Sequence, residues 1–332
     1  MANKITPITR RHIDLLFDQG IISDQAKSFG LNAIYPDRNW GLLVSRMLLI
    51  TGILLVLSGI IYFFAYNWTE ITPAIKLGSI QGGMLFCLAL YYFTDMQKIV
   101  SKISLLSASV MVGVFMAVFG QIYQTGADIY TLFTAWALLI LPWVIISEFA
   151  ASWMIWLLVS NFAITMYFEQ AMEFDIAMKS IVYTYLMLFN GFFLALREIL
   201  VIRGYQWLSP EWIRRVLLCV ILYYALCPIT TFIMLLSKAG PSLIISTVVA
   251  VVIFLLSYIV YRFKLPDVFS VAVTVFAGCL ILESGIIKLS EIIFFYPYGS
   301  GTLMIAALTL CNCVVAATTL SVITKKMENA HE

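Results

Sequence analysis

The stretch LIISTVVAVVIFLLSYIVY, Leu243–Tyr261, contains no charged residue. Its apolar side chains run continuously. A barrel strand would alternate apolar and polar positions over about ten residues. Nineteen helical residues rise about 28 Å, close to the roughly 30 Å of a bilayer's hydrocarbon core. The stretch Leu42–Phe64, twenty-three residues long, is likewise a continuous apolar run, with Arg46 as its one charged residue. In lipid every backbone N–H and C=O must be paired internally, so runs of this kind are read as transmembrane helices.

The pattern recurs along the chain. Ten spans are expected, at about 42–64, 75–93, 103–121, 129–147, 150–168, 180–197, 215–236, 242–261, 268–287 and 302–323. Of the 332 residues, 62% are hydrophobic and 11% charged, and the mean hydropathy is +0.97. Soluble domains average about 25% charged residues, and a soluble fold of this length could not cover so much apolar surface. The expected class is therefore all-α: a polytopic integral membrane bundle over residues 40–324. A short cytoplasmic helical hairpin over 1–39 precedes it, and a cytoplasmic tail over 325–332 follows.

Basic residues in the gaps give the orientation, because Lys and Arg concentrate in cytoplasmic loops. Fifteen of the twenty fall on one side: Lys4, Arg10, Arg11, Lys27, Arg38, Lys98, Lys102, Arg197, Arg203, Arg214, Arg215, Arg262, Lys264, Lys325 and Lys326. Four fall on the other, Lys76, Lys179, Lys238 and Lys288, and Arg46 lies inside the first span, where its stem can snorkel to the headgroups. Both termini are thus expected in the cytoplasm. The polar first forty residues carry no apolar core of a signal peptide.

Within the hairpin, His12, Ile13, Leu16 and Phe17 share one helical face, with Ala26 and Phe29 expected opposite. Gly20 is the expected C-cap of the first helix, and Ser23 the N-cap of the second.

The net charge of +2 is too small to suggest a nucleic-acid partner. Cys87, Cys219, Cys227, Cys279, Cys311 and Cys313 all lie in apolar runs and read as small buried hydrophobes. His12 and His331 are too few and too distant for a metal cluster. No phosphate loop, nucleophile elbow or dinucleotide fingerprint is present, so no cofactor is expected and an enzyme is disfavoured.

Polar residues inside spans are costly and are weighed singly. Glu283 lies in the ninth span about one turn from its outer end, and would face a neighbouring helix or a cavity. Asn161, Asn190, Asn312 and Gln81 are candidates for interhelical hydrogen bonds. Gly78 and Gly82 form a small-xxx-small pattern that favours close helix packing. Pro228 removes a ladder bond from the seventh span, with Thr230 and Thr231 placed to satisfy freed carbonyls.

Two segments carry a family resemblance. One is Phe63-Phe64-Ala65-Tyr66-Asn67-Trp68. The other is Phe119-Gly120-Gln121-Ile122-Tyr123-Gln124, followed by Asp128, Trp136 and Leu141-Pro142-Trp143. With the preceding hairpin they resemble, over roughly residues 5–145, the bacterial membrane proteins grouped as domain of unknown function 2157. Tyr66 departs from the family's usual Ala. The resemblance implies a bacterial inner-membrane setting and brings no catalytic residues. If the first, third and fourth spans are neighbours, Asn67, Trp68, Gln121, Tyr123, Gln124 and Asp128 form one polar, aromatic cluster at the outer headgroup level. Together with Glu283 these are the candidate ligand-site residues.

The function expected from these observations is a non-catalytic envelope subunit, in the lipid bilayer, that packs with a partner membrane protein. The alternative is a secondary transporter or channel for a small solute, proton-coupled through Glu283.

Overall fold

A computed structural model describes residues 10–34, 68–95, 98–172, 175–294 and 300–328, with separate positions between 41 and 66. The first expected span, Arg46 and Asn67 therefore fall wholly or partly outside the described residues. The chain divides into two compact units, Met1–Thr72 and Pro73–Glu332.

In the first unit, α1 (Arg10–Asp18) and α2 (Asp24–Ile34) form the expected hairpin. Gly20 takes φ +71°, which glycine adopts without a Cβ penalty, and its N–H donates to Phe17 O at 2.9 Å. Ser23 caps α2 by accepting from the N–H of Ala26 at 3.3 Å. The facing positions differ from expectation. Phe29 is 77% exposed and Ala26 is exposed as well. Gly30 instead lies against Ile13, because a Cβ there would come within 3.2 Å of the Ile13 Cδ1. Lys27 crosses the hairpin to Asp14 at 3.0 Å and sits over the Phe17 ring at 4.2 Å.

The second unit is built of helices joined by short turns, with no strand among its described residues. Its helices are α3 (Pro73–Phe93), α4 (Ile99–Tyr123), α5 (Ile129–Ser147), α6 (Ala150–Ala171), α7 (Ile176–Ile202), α8 (Glu211–Met234), α9 (Pro241–Ile259), α10 (Val268–Phe294) and α11 (Ser300–Glu328). A π-helical turn, Val260–Lys264, continues α9. Among the described residues nine helices are long and apolar enough to cross a membrane. They coincide with the second to tenth expected spans.

Neighbours in sequence pack as neighbours in space from α3 to α7. Helix α8 is the hub, contacting α7, α9 and α10. Its buried positions Ile213, Leu217, Ile221, Ala225 and Ile229 repeat every four residues, so one stripe runs its length. Leu157, Leu194, Val271 and Tyr261 complete the core around it. Helices α3 and α11 have no buried residue in their apolar windows, as expected of helices whose solvent is lipid.

Backbone geometry ends helices where the sequence cannot continue them. Gln124 (φ 44°) and Glu148 (φ 42°) are left-handed residues closing α4 and α5. Helix α8 remains helical on both sides of Pro228. The Thr230 hydroxyl donates to Leu226 O at 2.8 Å, and Pro228 O accepts from Thr247 at 3.2 Å on α9. Thr230 therefore does not serve the carbonyl of Tyr224, four residues before Pro228, which the proline leaves without its helical donor.

Candidate functional site

The candidate residues occupy separate places. Gln121 and Tyr123 end α4, Gln124 caps it, and Asp128 precedes α5, so these four share one turn and are exposed. The Tyr123 ring packs on Phe119 at 4.6 Å. Asp128 O accepts from the N–H and hydroxyl of Thr131, at 3.1 and 2.6 Å. A groove of about 550 Å³ runs between α4 and α5 at this turn, with Phe115, Phe119, Leu132 and Ala135 as its walls and Thr125 and Asp128 at its end. Gln121, Tyr123 and Gln124 do not line it. Trp68 belongs to the first unit.

Glu283 is elsewhere, on α10. It is half-buried, and its Oε1 accepts from the Thr309 hydroxyl of α11 at 2.6 Å. One turn of α11 further on, Asn312 donates to Cys279 O at 3.0 Å. These two bonds join α11 to α10 along one seam. The carboxylate is thus placed as an interhelical tie.

A buried polar contact is formed by a pair of amides. Asn161 on α6 and Asn190 on α7 are 8% and 1% exposed. Each donates to the other's carbonyl oxygen, at 3.1 and 2.7 Å, and each also donates to the carbonyl four residues back. Further along α7, the Thr184 hydroxyl donates to Ser246 of α9 at 2.8 Å, and Ser246 donates to Ser180 O at 2.9 Å. Of the four amides expected between helices, Asn161, Asn190 and Asn312 are there, whereas Gln81 is exposed on α3.

Gly78 and Gly82 also lie on the exposed side of α3, and a Cβ at either would have no neighbour within 4 Å. The close approach falls one residue on. A Cβ at Gly83 would come within 2.5 Å of Met111 on α4. Gly113 is tighter still, because a Cβ there would overlap the Trp136 ring. The Trp136 indole donates to Ser109 O at 2.9 Å.

The largest polar assembly was not singled out from the sequence. Arg197 near the end of α7 is 3% exposed. It donates to Leu208 O (3.0 Å), Ser209 O (2.9 Å), Pro210 O (3.3 Å) and the Glu198 carboxylate (2.8 Å). The same carboxylate receives Arg214 of α8 on both oxygens, at 2.9 and 3.2 Å. Alongside, Arg215 reaches Glu211 and, at 3.3 Å, Asp267. Asp267 caps α10 by accepting from the Ser270 N–H and hydroxyl. Burial pushes the Asp267 carboxyl up, but the Ser270 bonds and the Arg215 guanidinium outweigh it and hold the group below its ordinary range. Three guanidiniums and three carboxylates so fix the loops of this end.

Chemically, these groups hold helices together. Among the described residues no three His, Cys, Asp or Glu side chains are placed to share a metal ion. Comparison with known proteins gives one family match, in the first part of the chain. Residues 14–153 match the family described as Predicted membrane protein (DUF2157). The resemblance carried by the Gly-Gln-Ile-Tyr-Gln stretch is thus met, over α1 to the start of α6. The matched region contains the Gln121–Asp128 turn and its groove, whereas the guanidinium–carboxylate assembly and Glu283 lie outside it. No curated protein and no solved structure matches the chain.

Proposed function

We propose that this multi-pass membrane protein is a non-catalytic subunit of the bacterial inner membrane that packs against a partner membrane protein. One observation carries the reading. Polar side chains at four places within the spans bond to a neighbouring helix: Asn161 to Asn190, Thr184 to Ser246, Glu283 to Thr309 and Asn312 to Cys279. Residues committed in this way hold a shape and do not turn over a substrate. The exposed face of α3, with Gly78 and Gly82, supports a lateral partner, since small residues admit close helix approach. Both termini lie in the cytoplasm on this reading, supported by the fifteen-to-four division of basic residues. Lys102 donates to Glu148 O at 3.3 Å, which agrees with both of those gaps lying at one end of the bundle.

Isolation of the full chain in mild detergent tests the proposal. A stoichiometric membrane partner should be recovered with the native chain and lost with G78I/G82I. A lone monomer under several conditions, or a partner indifferent to that change, counts against it.

The transporter alternative rests on Glu283, a carboxyl group within the candidate span Val268–Ile293. In a reconstituted transport assay, Glu283→Gln should abolish proton coupling on that reading; unchanged coupling removes Glu283 as a carrier.

A further inference from the structure

At the end of the bundle that holds Arg197, three acidic residues are engaged by arginines. Glu198 binds Arg197 and Arg214, while Glu211 and Asp267 bind Arg215. The neighbouring π-helical turn, Val260–Lys264, adds two further cations, Arg262 and Lys264. Arg262 on that turn donates to a neutral acceptor, Ile323 O on α11, at 3.3 Å, and lies 5.8 Å from the Phe263 ring. Lys264 and Phe263 are exposed. The Arg262 bond draws the turn to the end of α11, where Lys325 and Lys326 follow in sequence, with Glu328 after them. One corner of the bundle thus brings Arg262 and Lys264 together at the end of α11.

The depth of this corner is fixed by the helices. The candidate spans end at Lys264 and Thr324 and begin at Val268 on this side, so the corner lies where hydrocarbon gives way to headgroups. An exposed aromatic ring beside cations suits that layer. A guanidinium fork matches the oxygens of a phosphodiester, and basic clusters between helix ends recruit anionic lipids. A π-helical turn widens the backbone and often marks a functional position.

We propose that the corner formed by Arg262, Lys264 and the end of α11 binds the phosphate of an anionic glycerophospholipid. Phe263 lies against the upper part of its acyl chains. Arg262 contacts the phosphate while retaining its bond to Ile323 O, so a bound lipid would secure α11, the helix with no buried residue in its apolar window.

The test uses the full chain, delipidated in neutral detergent, titrated with phosphatidylglycerol, phosphatidylcholine or inorganic phosphate. Retained lipid is counted by native mass spectrometry, and the thermal midpoint is followed in parallel. Phosphatidylglycerol should bind saturably and raise the midpoint, and the other two should not. R262Q/K264Q should weaken the apparent affinity for phosphatidylglycerol about 25-fold, roughly fivefold for each cation removed. R203Q, at the same end of the bundle, should leave it unchanged. The charge-conserving R262K/K264R supplies a folded comparison and should keep binding. Three results would overturn the proposal. One is equal retention of phosphatidylcholine. Another is a loss in R203Q as large as in R262Q/K264Q, which would mean diffuse attraction. The last is an equal effect of inorganic phosphate, which would mean a soluble-anion site.

Discussion

Asn161 and Asn190 face each other across α6 and α7 and exchange two hydrogen bonds, at 3.1 and 2.7 Å, with almost no exposure. Each amide nitrogen uses its second hydrogen on its own helix. Both donors of each NH₂ are therefore satisfied inside the protein. The pair fixes the rotation and axial register of the two helices, because a shift of either by one residue would strand both amides.

Replacing one partner strands the other. N161L or N190L should each destabilise the bundle by about 1–3 kcal/mol, the cost of a buried amide left unpaired. The double variant should recover part of that loss. Couplings of this kind in membrane proteins run from about 0.6 to 1.7 kcal/mol. A double-mutant cycle on reversible unfolding in mixed micelles measures the term; strict additivity would mean the pair is not formed.

Gly113 should resist even the smallest enlargement. G113A must displace the Trp136 ring and break its bond to Ser109 O, at a cost of about 1–3 kcal/mol for overpacking. G78A serves as the comparison and should be tolerated, since nothing lies near its Cβ position. Thermal midpoints of the two variants, together with the indole emission of the first, check this.

Arg197 should behave as a structural residue. Its guanidinium satisfies the carbonyls of Leu208, Ser209 and Pro210, the segment that joins α7 to α8. R197A should cost about 3 kcal/mol, as expected when one partner leaves a buried ionic group. R197K should also be destabilised, because an ammonium cannot reproduce the planar fork. Unfolding midpoints and proteolysis within 203–210 report the loss; a native-like R197A would contradict this reading.

Stability should depend on pH through Asp267. Its carboxyl is held below the ordinary value of 3.8 by Ser270 and Arg215, which together outweigh burial. A group whose folded value is depressed favours the folded state when ionised. The contribution is therefore complete above the ordinary value and is lost as pH falls through the lower folded one. The native chain should lose more stability on acidification below about pH 4 than D267N, whose profile there should be flatter. Parallel profiles would remove Asp267 as a contributor.

Much of the fold is legible in the sequence, for a physical reason. Nine runs near twenty apolar residues coincide with nine helices, because only a helix of that length pairs its backbone across hydrocarbon. The ends are less legible. Helix α7 covers Ile176–Ile202 where 180–197 was expected, since Asp175 caps it through the Met178 N–H in a polar stretch that hydropathy does not register. Interhelical amides are legible as a class, but their partners are not. That Asn161 meets Asn190 while Gln81 stays exposed depends on helix rotation. Arg197 reads as an ordinary interfacial cation, and its burial follows from the fold-back of Tyr205–Pro210, which no local pattern encodes. Phe29 was expected inside its hairpin, yet Gly30 allows Ile13 the closer approach. The Gln121–Asp128 turn is legible as a motif, and its groove is a product of how α4 and α5 pack.

The central claim is that polar groups inside this bundle serve as dry interhelical ties. Thiol accessibility tests it most directly. Single cysteines at Asn190, Glu283 and Arg203, in a chain with its six native cysteines replaced, are treated with a membrane-impermeant maleimide in opened membranes. The account predicts rapid labelling at position 203 and little at 190 and 283. Labelling of either interior position as fast as position 203 would reveal a water-filled path and contradict it.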